Sequence, residues 1–217
     1  MHAAPPRHGR APLLRFLLAS AVALVLAHLV DRWAYVHLAA AELSDTDLGR
    51  MLRVMGFLPL WATAALALVL HDRPERAGRG AWARGLLLLG SATLGGAAAE
   101  VLKLVFRRER PRAHAGEYVF RAWTERPFST GGLALPSSHA LVAWGAAGML
   151  AHLFPRARWV WYALAAGSSY SRVAAGAHFV SDVVLSAVVG LAVAEGLWRW
   201  RGPHEGRPDA VERAGHS

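Results

Sequence analysis

The sequence predicts an all-α, polytopic membrane protein with six transmembrane helices packed in one bundle. Of its 217 residues 54% are apolar, which is more than the share usual in soluble domains. Six apolar runs with few or no charges follow one another along the chain. Tryptophan is enriched where membrane helices meet the headgroup layer. It stands at the ends of these runs, at Trp33, Trp82, Trp159, Trp161, Trp198 and Trp200.

A basic N-terminal tail, residues 1–11, precedes the first predicted span at about residues 12–31. A cleaved signal peptide is the alternative interpretation, because Arg7, Arg10 and Arg15 lie before or at the start of the apolar run. We favour a membrane anchor, since no small-x-small cleavage site lies near the end of the run and cleavage would leave five spans.

The second predicted span, at about residues 51–70, ends at an arginine-bearing turn over residues 71–84. The third span, at about 85–106, leads into a long polar segment over residues 107–135. Short turns separate the fourth (about 136–154), fifth (about 159–174) and sixth (about 178–198) spans. The small-residue stretches GGAAAE and GAAG are expected to permit close helix packing. We therefore expect one domain over residues 12–200, followed by a polar C-terminal tail over residues 201–217.

The arginines of the short loops predict which end of the bundle faces the cytoplasm. The 71–84 turn, the turn at Pro155–Arg158 and both tails are rich in arginine, so the positive-inside rule assigns them to the cytoplasmic side. The 107–135 segment, at the other end, carries six arginines and favours the opposite orientation. We give it less weight because some of its arginines fit a binding role. The prediction is an integral protein of a bacterial inner (plasma) membrane, with this segment facing the periplasm or exterior.

Composition also argues against several classes of function. The formal net charge is +9, but the arginines cluster beside apolar runs, where they can meet anionic lipid headgroups, and no nucleic-acid-binding module is visible. The chain has no cysteine and so no thiolate chemistry or cysteine-bound metal. Its histidines outside the motifs lack metal-ligand spacing. We expect no cofactor, no metal and no nucleic acid partner, and the oligomeric state is left open.

Threading the chain through six spans brings its ionisable residues together at one membrane face. Charged groups at membrane depth cost roughly 2.5–3.5 kcal/mol each on insertion scales and tend to mark functional sites. Two other acidic residues, Asp31 and Glu195, are expected to face water or neighbouring helices. The residues that form this candidate active site are Lys103, Arg110, Pro136–His139, Ser171, Arg172, His178 and Asp182.

The stretch SRVAAGAHFVSD (Ser171–Asp182) contains a histidine and an aspartate at a helical spacing. His178 and Asp182 are four residues apart and would share one face of a helix. The carboxylate could then accept the imidazole N–H, which would fix the tautomer and leave the other ring nitrogen free to attack. An interfacial polar pair without a chemical role is the alternative. Arg172 upstream and a second histidine in another motif disfavour it.

Three cations come from two predicted spans: Lys103, Arg110 and Arg172. Lys103 is the only lysine among 24 basic residues, and it lies inside an apolar run where Glu100 could pair with it. A guanidinium suits bidentate contact to phosphate oxygens, and an ammonium supplies a point charge. Snorkelling of helix-end anchors toward the headgroups is the alternative. The residues that fit this alternative well are Arg107, Arg108 and Arg112.

The tetrapeptide PSSH (Pro136–His139) opens the fourth apolar run. Proline is tolerated in a first helical turn because its missing N–H would be unpaired there. The N–H groups of Ser137 and Ser138 would then be free to bind an anion at the helix N-terminus. His139, in the same turn, could pass a proton to a leaving group near neutral pH. Alone this motif is weak, and its value comes from its co-occurrence with the other two.

Together, KLVFRRERP (Lys103–Pro111), PSSH and SRVAAGAHFVSD resemble the signature motifs of the type 2 phosphatidic acid phosphatase / haloperoxidase superfamily. The patterns of that superfamily are K-x6-RP, PSGH and SR-x5-H-x3-D. All three occur here in order and with their internal spacing kept. One departure is Ser138, where the pattern has glycine. A backbone N–H is what the motif needs at that position, so the change looks tolerable, although a side chain could narrow the phosphate pocket.

The resemblance implies a metal-free phosphatase with a phosphohistidine intermediate. His178 would attack phosphorus, Asp182 would orient it, and His139 would protonate the departing oxygen and later activate water. This agrees with the residues themselves, because phosphoryl transfer depends on positioning and charge stabilisation. The residues that would hold the phosphate oxygens are Lys103, Arg110, Arg172, Ser137 and Ser138.

The expected function is that of an integral-membrane lipid phosphatase acting on a phosphate or diphosphate monoester of a lipid. A phosphotransferase that gives the phosphoryl group to a second lipid would use the same residues. A non-catalytic lipid-binding or transport protein would explain charges within the membrane, but not two histidines and an aspartate at these spacings. A vanadate-dependent haloperoxidase shares the motifs, but this short, hydrophobic, polytopic chain argues against it.

Overall fold

The structure, a computed structural model, describes residues 10–40, 43, 46–72 and 79–201. Within these residues the regular structure is helical, so the predicted all-α class is confirmed. Residues 1–9 and 202–217 of the predicted tails lie outside the described residues, as do Arg73 and Arg76. The helices are α1 (Arg10–Leu38), α2 (Asp47–Val54), α3 (Leu58–Asp72), α4 (Arg79–Phe106), α5 (Ser138–Leu153), α6 (Arg158–Ala174) and α7 (Val180–Arg201).

Three of these helices are long and apolar enough to cross a membrane. The segments concerned are Pro12–Leu38 of α1, Trp82–Phe106 of α4 and the whole of α7. The bent pair of α2 and α3 gives a fourth candidate if it counts as one span. Helices α5 and α6 have 16 and 17 residues, and at 1.5 Å per residue they are shorter than a hydrocarbon core of about 30 Å. Length and composition thus support three or four spans, and the six-span arrangement stays a prediction.

The second predicted span, at 51–70, is divided in the structure. Helix α2 ends at Val54 and α3 begins at Leu58, and the two helices meet at an angle of 65°. Thr46 caps α2, because its side chain accepts the Gly49 N–H at 3.0 Å. The charge at the start of the predicted span, Arg53, belongs to the short helix α2, and most of the apolar residues that follow belong to α3.

Helix α5 lies at the centre of the bundle, packed against α4, α6 and α7. Glycines allow this close packing. A Cβ on Gly145 would lie 2.8 Å from the Ser91 carbonyl oxygen of α4, and one on Gly148 would lie 2.7 Å from the Ala194 Cβ of α7. The Ser91 hydroxyl also donates to the Gly145 carbonyl at 2.7 Å. The predicted role of the GAAG stretch in helix packing is confirmed.

The outer surface of the bundle is apolar. Many leucines and valines of α1 are exposed, with Leu29 at 74%, and a surface of this extent is unusual for a protein that meets water alone. At one end of the bundle, Arg84 of α4 donates to the buried carboxylate of Asp72 in α3 at 2.8 Å. This ion pair joins the two helices at the end opposite the predicted motifs.

Residues 107–137 connect α4 to α5 and are organised by buried arginines. Arg107, the residue that follows α4, adopts a left-handed conformation with a φ of 55°, which ends the helix. Arg107 and Arg108 are both 2% exposed, so their assignment as snorkelling anchors is wrong, whereas Arg112 is exposed. The Arg107 side chain donates to the carbonyls of Arg121 at 3.1 Å, Ala122 at 2.8 Å, Glu125 at 2.5 Å and Pro127 at 3.2 Å.

Candidate active site

The predicted site residues lie at one end of the bundle, which we call the site end. It is formed by the C-terminal ends of α4 and α6, the N-terminal ends of α5 and α7 and the 107–137 segment. The structure thus brings together three motifs that are far apart in the sequence. The residues concerned are Lys103, Arg110, Ser137, Ser138, His139, Arg172, His178 and Asp182.

The turn between α6 and α7 positions His178. Gly176 adopts a φ of +60°, a left-handed conformation that favours glycine. Its carbonyl accepts the Arg112 N–H at 3.1 Å, which ties the turn to the 107–137 segment. His178 is 4% exposed and precedes α7. The prediction that His178 and Asp182 share a helical face is therefore wrong, because the histidine belongs to the turn and only the aspartate belongs to the helix.

Asp182 lies in the first turn of α7 and is fully buried. Its Oδ2 accepts the Phe179 N–H at 2.7 Å, so the carboxylate caps the start of the helix. The same oxygen lies 3.5 Å from His178 Nδ1, at the outer limit of a hydrogen bond, and no described residue gives that nitrogen a closer partner. Arg108 donates to the other oxygen, Oδ1. Asp182 is placed to orient His178, and Arg108 is a site residue that sequence reasoning missed.

Lys103, Glu100 and Ser138 form a compact polar group between α4 and α5. Lys103 Nζ donates to Glu100 Oε1 at 2.8 Å, which confirms the predicted pair. The Ser138 hydroxyl donates to the same oxygen at 2.6 Å and accepts from Lys103. The serine side chain, at a position where the motif pattern has glycine, is therefore engaged with these two residues.

The start of α5 differs from the prediction in two respects. The helix begins at Ser138 with Ser137 as its N-cap, so Pro136 precedes the cap and does not belong to the first turn. The Ser137 N–H, expected to be free for an anion, donates to Ser186 Oγ at 2.9 Å because α7 packs against this end of α5. Of the two amides predicted to bind the anion, the Ser138 N–H remains available by its position in the first helical turn.

The guanidinium groups of Arg110 and Arg172 have buried nitrogens without partners. The Nε of each is buried and makes no hydrogen bond with any described residue. Burial lowers the pKa of Arg110, and the charge of Arg112 lowers it further. Arg172 is in turn repelled by Arg53, Arg110 and Arg112. A buried N–H without a partner is unfavourable, so this arrangement favours an anionic ligand that would accept from both side chains.

Arg53 and Arg112 extend the positive charge at the site end, and sequence reasoning did not assign either of them to the site. Helix α2 is held there by close contacts: a Cβ on Gly56, after α2, would lie 2.6 Å from the His139 Cβ, and one on Gly167 of α6 would lie 2.5 Å from Leu52 Cδ2. The positive charge of Arg53 repels the protonated form of His139. The signal that could have found it is the charged stretch 47–53, which interrupts a run interpreted as one span.

The electrostatic surroundings of His178 suit a nucleophile. Burial lowers the pKa of His178, although the Asp182 carboxylate acts in the opposite direction. The imidazole is therefore neutral at neutral pH, which is the form that can attack. Among the residues that the structure describes, no group of three or more histidine, aspartate or glutamate side chains could hold a metal ion.

A comparison with protein-family models matches residues 84–205 to the model described as PAP2 superfamily. The match covers more than half of the 217 residues. It includes all three motifs and excludes α1, α2 and α3. No curated protein and no solved structure matches the chain.

Proposed function

This chain belongs to the PAP2 superfamily, whose members are phosphatases, and we propose that it is an integral-membrane, metal-independent lipid phosphatase. Its substrate is a phosphate or diphosphate monoester of a lipid. The observation that carries the proposal is a pair of buried guanidinium nitrogens without described partners at the site end. They are the Nε atoms of Arg110 and Arg172, the two arginines predicted to bind phosphate.

In the first step His178 attacks the phosphorus atom through Nε2, the nitrogen that does not face Asp182. An N–P bond forms while the bond from phosphorus to the lipid oxygen breaks. The negative charge of the bound phosphate favours a protonated His139, which gives its proton to the departing oxygen. Lys103, Arg110, Arg172 and the Ser138 N–H stabilise the charge on the remaining phosphate oxygens.

In the second step a water molecule replaces the leaving group. His139, now neutral, takes a proton from this water, whose oxygen attacks phosphorus. The N–P bond breaks, its electron pair returns to His178, and inorganic phosphate leaves. Asp182 supports both steps because it faces Nδ1 and stabilises the positive charge of the phosphorylated ring.

A lipid substrate is supported by the surroundings of the site. The apolar helices that could cross a membrane end beside it. The 107–137 segment carries exposed aromatic side chains, of the kind enriched at membrane–water interfaces. These are Phe120, Trp123 and Phe128. Arg107, Arg108 and Arg121 of this segment are buried and bonded within the protein, which weakens their value as positive-inside signals and supports an outward site.

The test is phosphate release by purified protein from phosphatidic acid, phosphatidylglycerol phosphate, undecaprenyl diphosphate and lipid A. We expect release from at least one lipid, retention of activity in EDTA and inhibition by vanadate, which resembles the trigonal-bipyramidal transition state. Absence of release from every lipid, or loss in EDTA with recovery in Mg²⁺, would contradict the proposal. Transfer of the phosphoryl group to a second lipid without release would identify a phosphotransferase.

A further inference from the structure

Asp31 of α1 is a buried carboxylate that the proposed mechanism does not use and that lies outside the residues matched by the family model. It is 1% exposed. Its Oδ1 accepts the Ser181 N–H at 2.8 Å, and its Oδ2 accepts from the hydroxyls of Ser181 and of Tyr118, the latter at 2.6 Å. Three donors therefore surround this buried carboxylate, and both of its oxygens are engaged within the protein.

Ser181 links Asp31 to the catalytic pair. The Ser181 Oγ donates to Asp31 and accepts from Arg108 Nη2 at 2.7 Å. The same Arg108 nitrogen donates to Asp182 Oδ1. The Arg108 guanidinium is further held by the rings of Tyr118 and Phe179, each 5.1 Å from its central carbon. A continuous chain of contacts thus runs from α1 to the carboxylate beside His178.

The charges along this chain indicate what Asp31 contributes. Arg108 alone would neutralise Asp182, and His178 would then face a neutral pair on one side. The charges of Arg172 and Arg110 also act on His178 and disfavour its protonated ring. With Asp31 included, the buried group of two carboxylates and one guanidinium carries one net negative charge. Such a charge favours the positively charged ring that forms when His178 is phosphorylated.

We propose that Asp31 is a positioning residue of the active site, which acts through Ser181 and Arg108 to hold Asp182 in place and keep its side of His178 negative. The proposal rests on the proposed phosphatase function. It also extends the active site into α1.

The test is the Asp31→Asn variant, assayed as full-length protein on the lipid that the wild type hydrolyses best. We expect kcat to fall about tenfold with KM within about twofold, because Asp31 does not touch substrate. The acid limb of kcat/KM against pH should move to lower pH by roughly one half to one unit. The direction follows because removing a negative charge disfavours the protonated imidazole, so the free histidine titrates at lower pH.

Two control variants separate positioning from stability. Asp72→Asn removes another carboxylate that is 1% exposed but lies at the opposite end of the bundle. It should lower thermal stability and leave the pH profile unchanged. Tyr118→Phe removes a hydrogen bond to Asp31 and leaves both of its bonds to Ser181, so kcat should stay within about threefold.

The outcomes are distinguishable from those of the proposed function. A fully active His178→Ala variant would overturn the proposed phosphohistidine mechanism, and absence of phosphate release from every lipid would overturn the function itself. If His178→Ala is inactive, an Asp31→Asn variant with the wild-type kcat and acid limb overturns the Asp31 proposal alone. A lower kcat with an unmoved acid limb also overturns it, since that result indicates a structural role only. Should Asp31→Asn fail to fold, Ser181→Ala, which breaks the link to Arg108, is judged by the same two readouts.

Discussion

His178 combines a buried ring, a carboxylate beside Nδ1 and the electrostatic influence of Arg172 and Arg110. If it is the nucleophile, His178→Ala should lower kcat by at least about 10³-fold, since loss of the nucleophile removes the covalent route. Phosphate release and thermal unfolding in detergent provide the measurements. His37→Ala is the control, because this exposed histidine contacts Trp33 of its own helix. Near-normal turnover in His178→Ala would exclude the covalent mechanism.

A second prediction at this scale concerns Arg53, which is exposed at the site end and adds positive charge there. Arg53→Gln should raise KM about three- to tenfold with little change in kcat, and the effect should shrink as salt screens exposed charges. Arg50→Gln removes the same charge from the same helix, at a position paired with Asp47 at 3.9 Å. Equal effects of the two variants would contradict a specific role for Arg53. They would indicate that both arginines only attract the anionic lipid surface that carries the substrate.

Residue identities at the site were more predictable than residue environments. The motif spacing predicted that Lys103 and His178 lie at the same end of the bundle, and the structure places both there. The burial of Arg108 could not be predicted, because it depends on the adjacent rings of Tyr118 and Phe179 and on Asp182 in another helix. A sequence pattern records the arginine and its neighbours along the chain, but not the ring faces that cover it.

Among helices and connections, the bend after α2 depends on a glycine. A Cβ on Gly56 would lie 2.6 Å from both the Cβ and the carbonyl oxygen of His139, so Gly56→Ala must push α2 away from α5. We expect destabilisation by roughly 1–3 kcal/mol and reduced activity, measured by thermal unfolding and phosphate release. Gly196→Ala in α7 is the matched control, since nothing lies within 4 Å of its added Cβ. That change should stabilise by about 0.5–1 kcal/mol, and similar behaviour of both variants would contradict the close contact.

The 107–137 segment should loosen in acid. Glu109 bridges His114 at 2.5 Å and Arg121 at 2.8 Å, and these hydrogen bonds lower its pKa below the ordinary 4.5. Its contribution to holding the segment closed is therefore complete above the ordinary pKa. It is lost as pH falls through the lowered value.

Hydrogen exchange across this segment, corrected for the intrinsic rate at each pH, measures the opening. Glu109→Gln should exchange faster at neutral pH and show less change in acid. Glu125→Gln, an exposed acid of the same segment, is the control. Equal protection of Glu109→Gln and the wild type at neutral pH would show that the bridge does not hold the segment.

The division of the second predicted span illustrates why helix boundaries were the weaker part of the sequence prediction. Hydropathy averages over a window, so the charged α2 and apolar α3 were merged into one run from residue 51 to residue 70. The Thr46 cap is a local signal in favour of a separate helix. The 65° bend itself arises from packing of α2 on α6 and of Gly56 on α5, which are contacts between distant parts of the sequence.

For the bundle as a whole, the orientation in the membrane decides which leaflet supplies the substrate. We expect the site end to face the periplasm or exterior. Because the chain has no cysteine, a single Thr124→Cys in the 107–137 segment should react with a membrane-impermeant maleimide in intact cells. Arg156→Cys, exposed at the opposite end, should react only after permeabilisation. The reverse labelling pattern would place the site on the cytoplasmic face.

An outward site would act on lipids that have already been flipped across the membrane, such as undecaprenyl diphosphate or lipid A. An inward site would favour intermediates of phospholipid synthesis. The labelling result therefore selects which of these lipids should be compared as substrates in kinetic assays.

The link from Asp31 to Asp182 also affects the design of chimeric proteins that combine segments of this chain with segments of a relative. The matched residues, 84–205, hold every motif, so they look like a unit that could be transplanted. Yet Asp31 lies in α1 and Arg53 in α2, and the His139 backbone is shaped to receive Gly56. A chimera that joins residues 79–217 of this chain to the N-terminal helices of a relative would inherit the motifs without their partners. If Asp31 positions Asp182 as proposed, the part of the chain that must be kept together begins in α1.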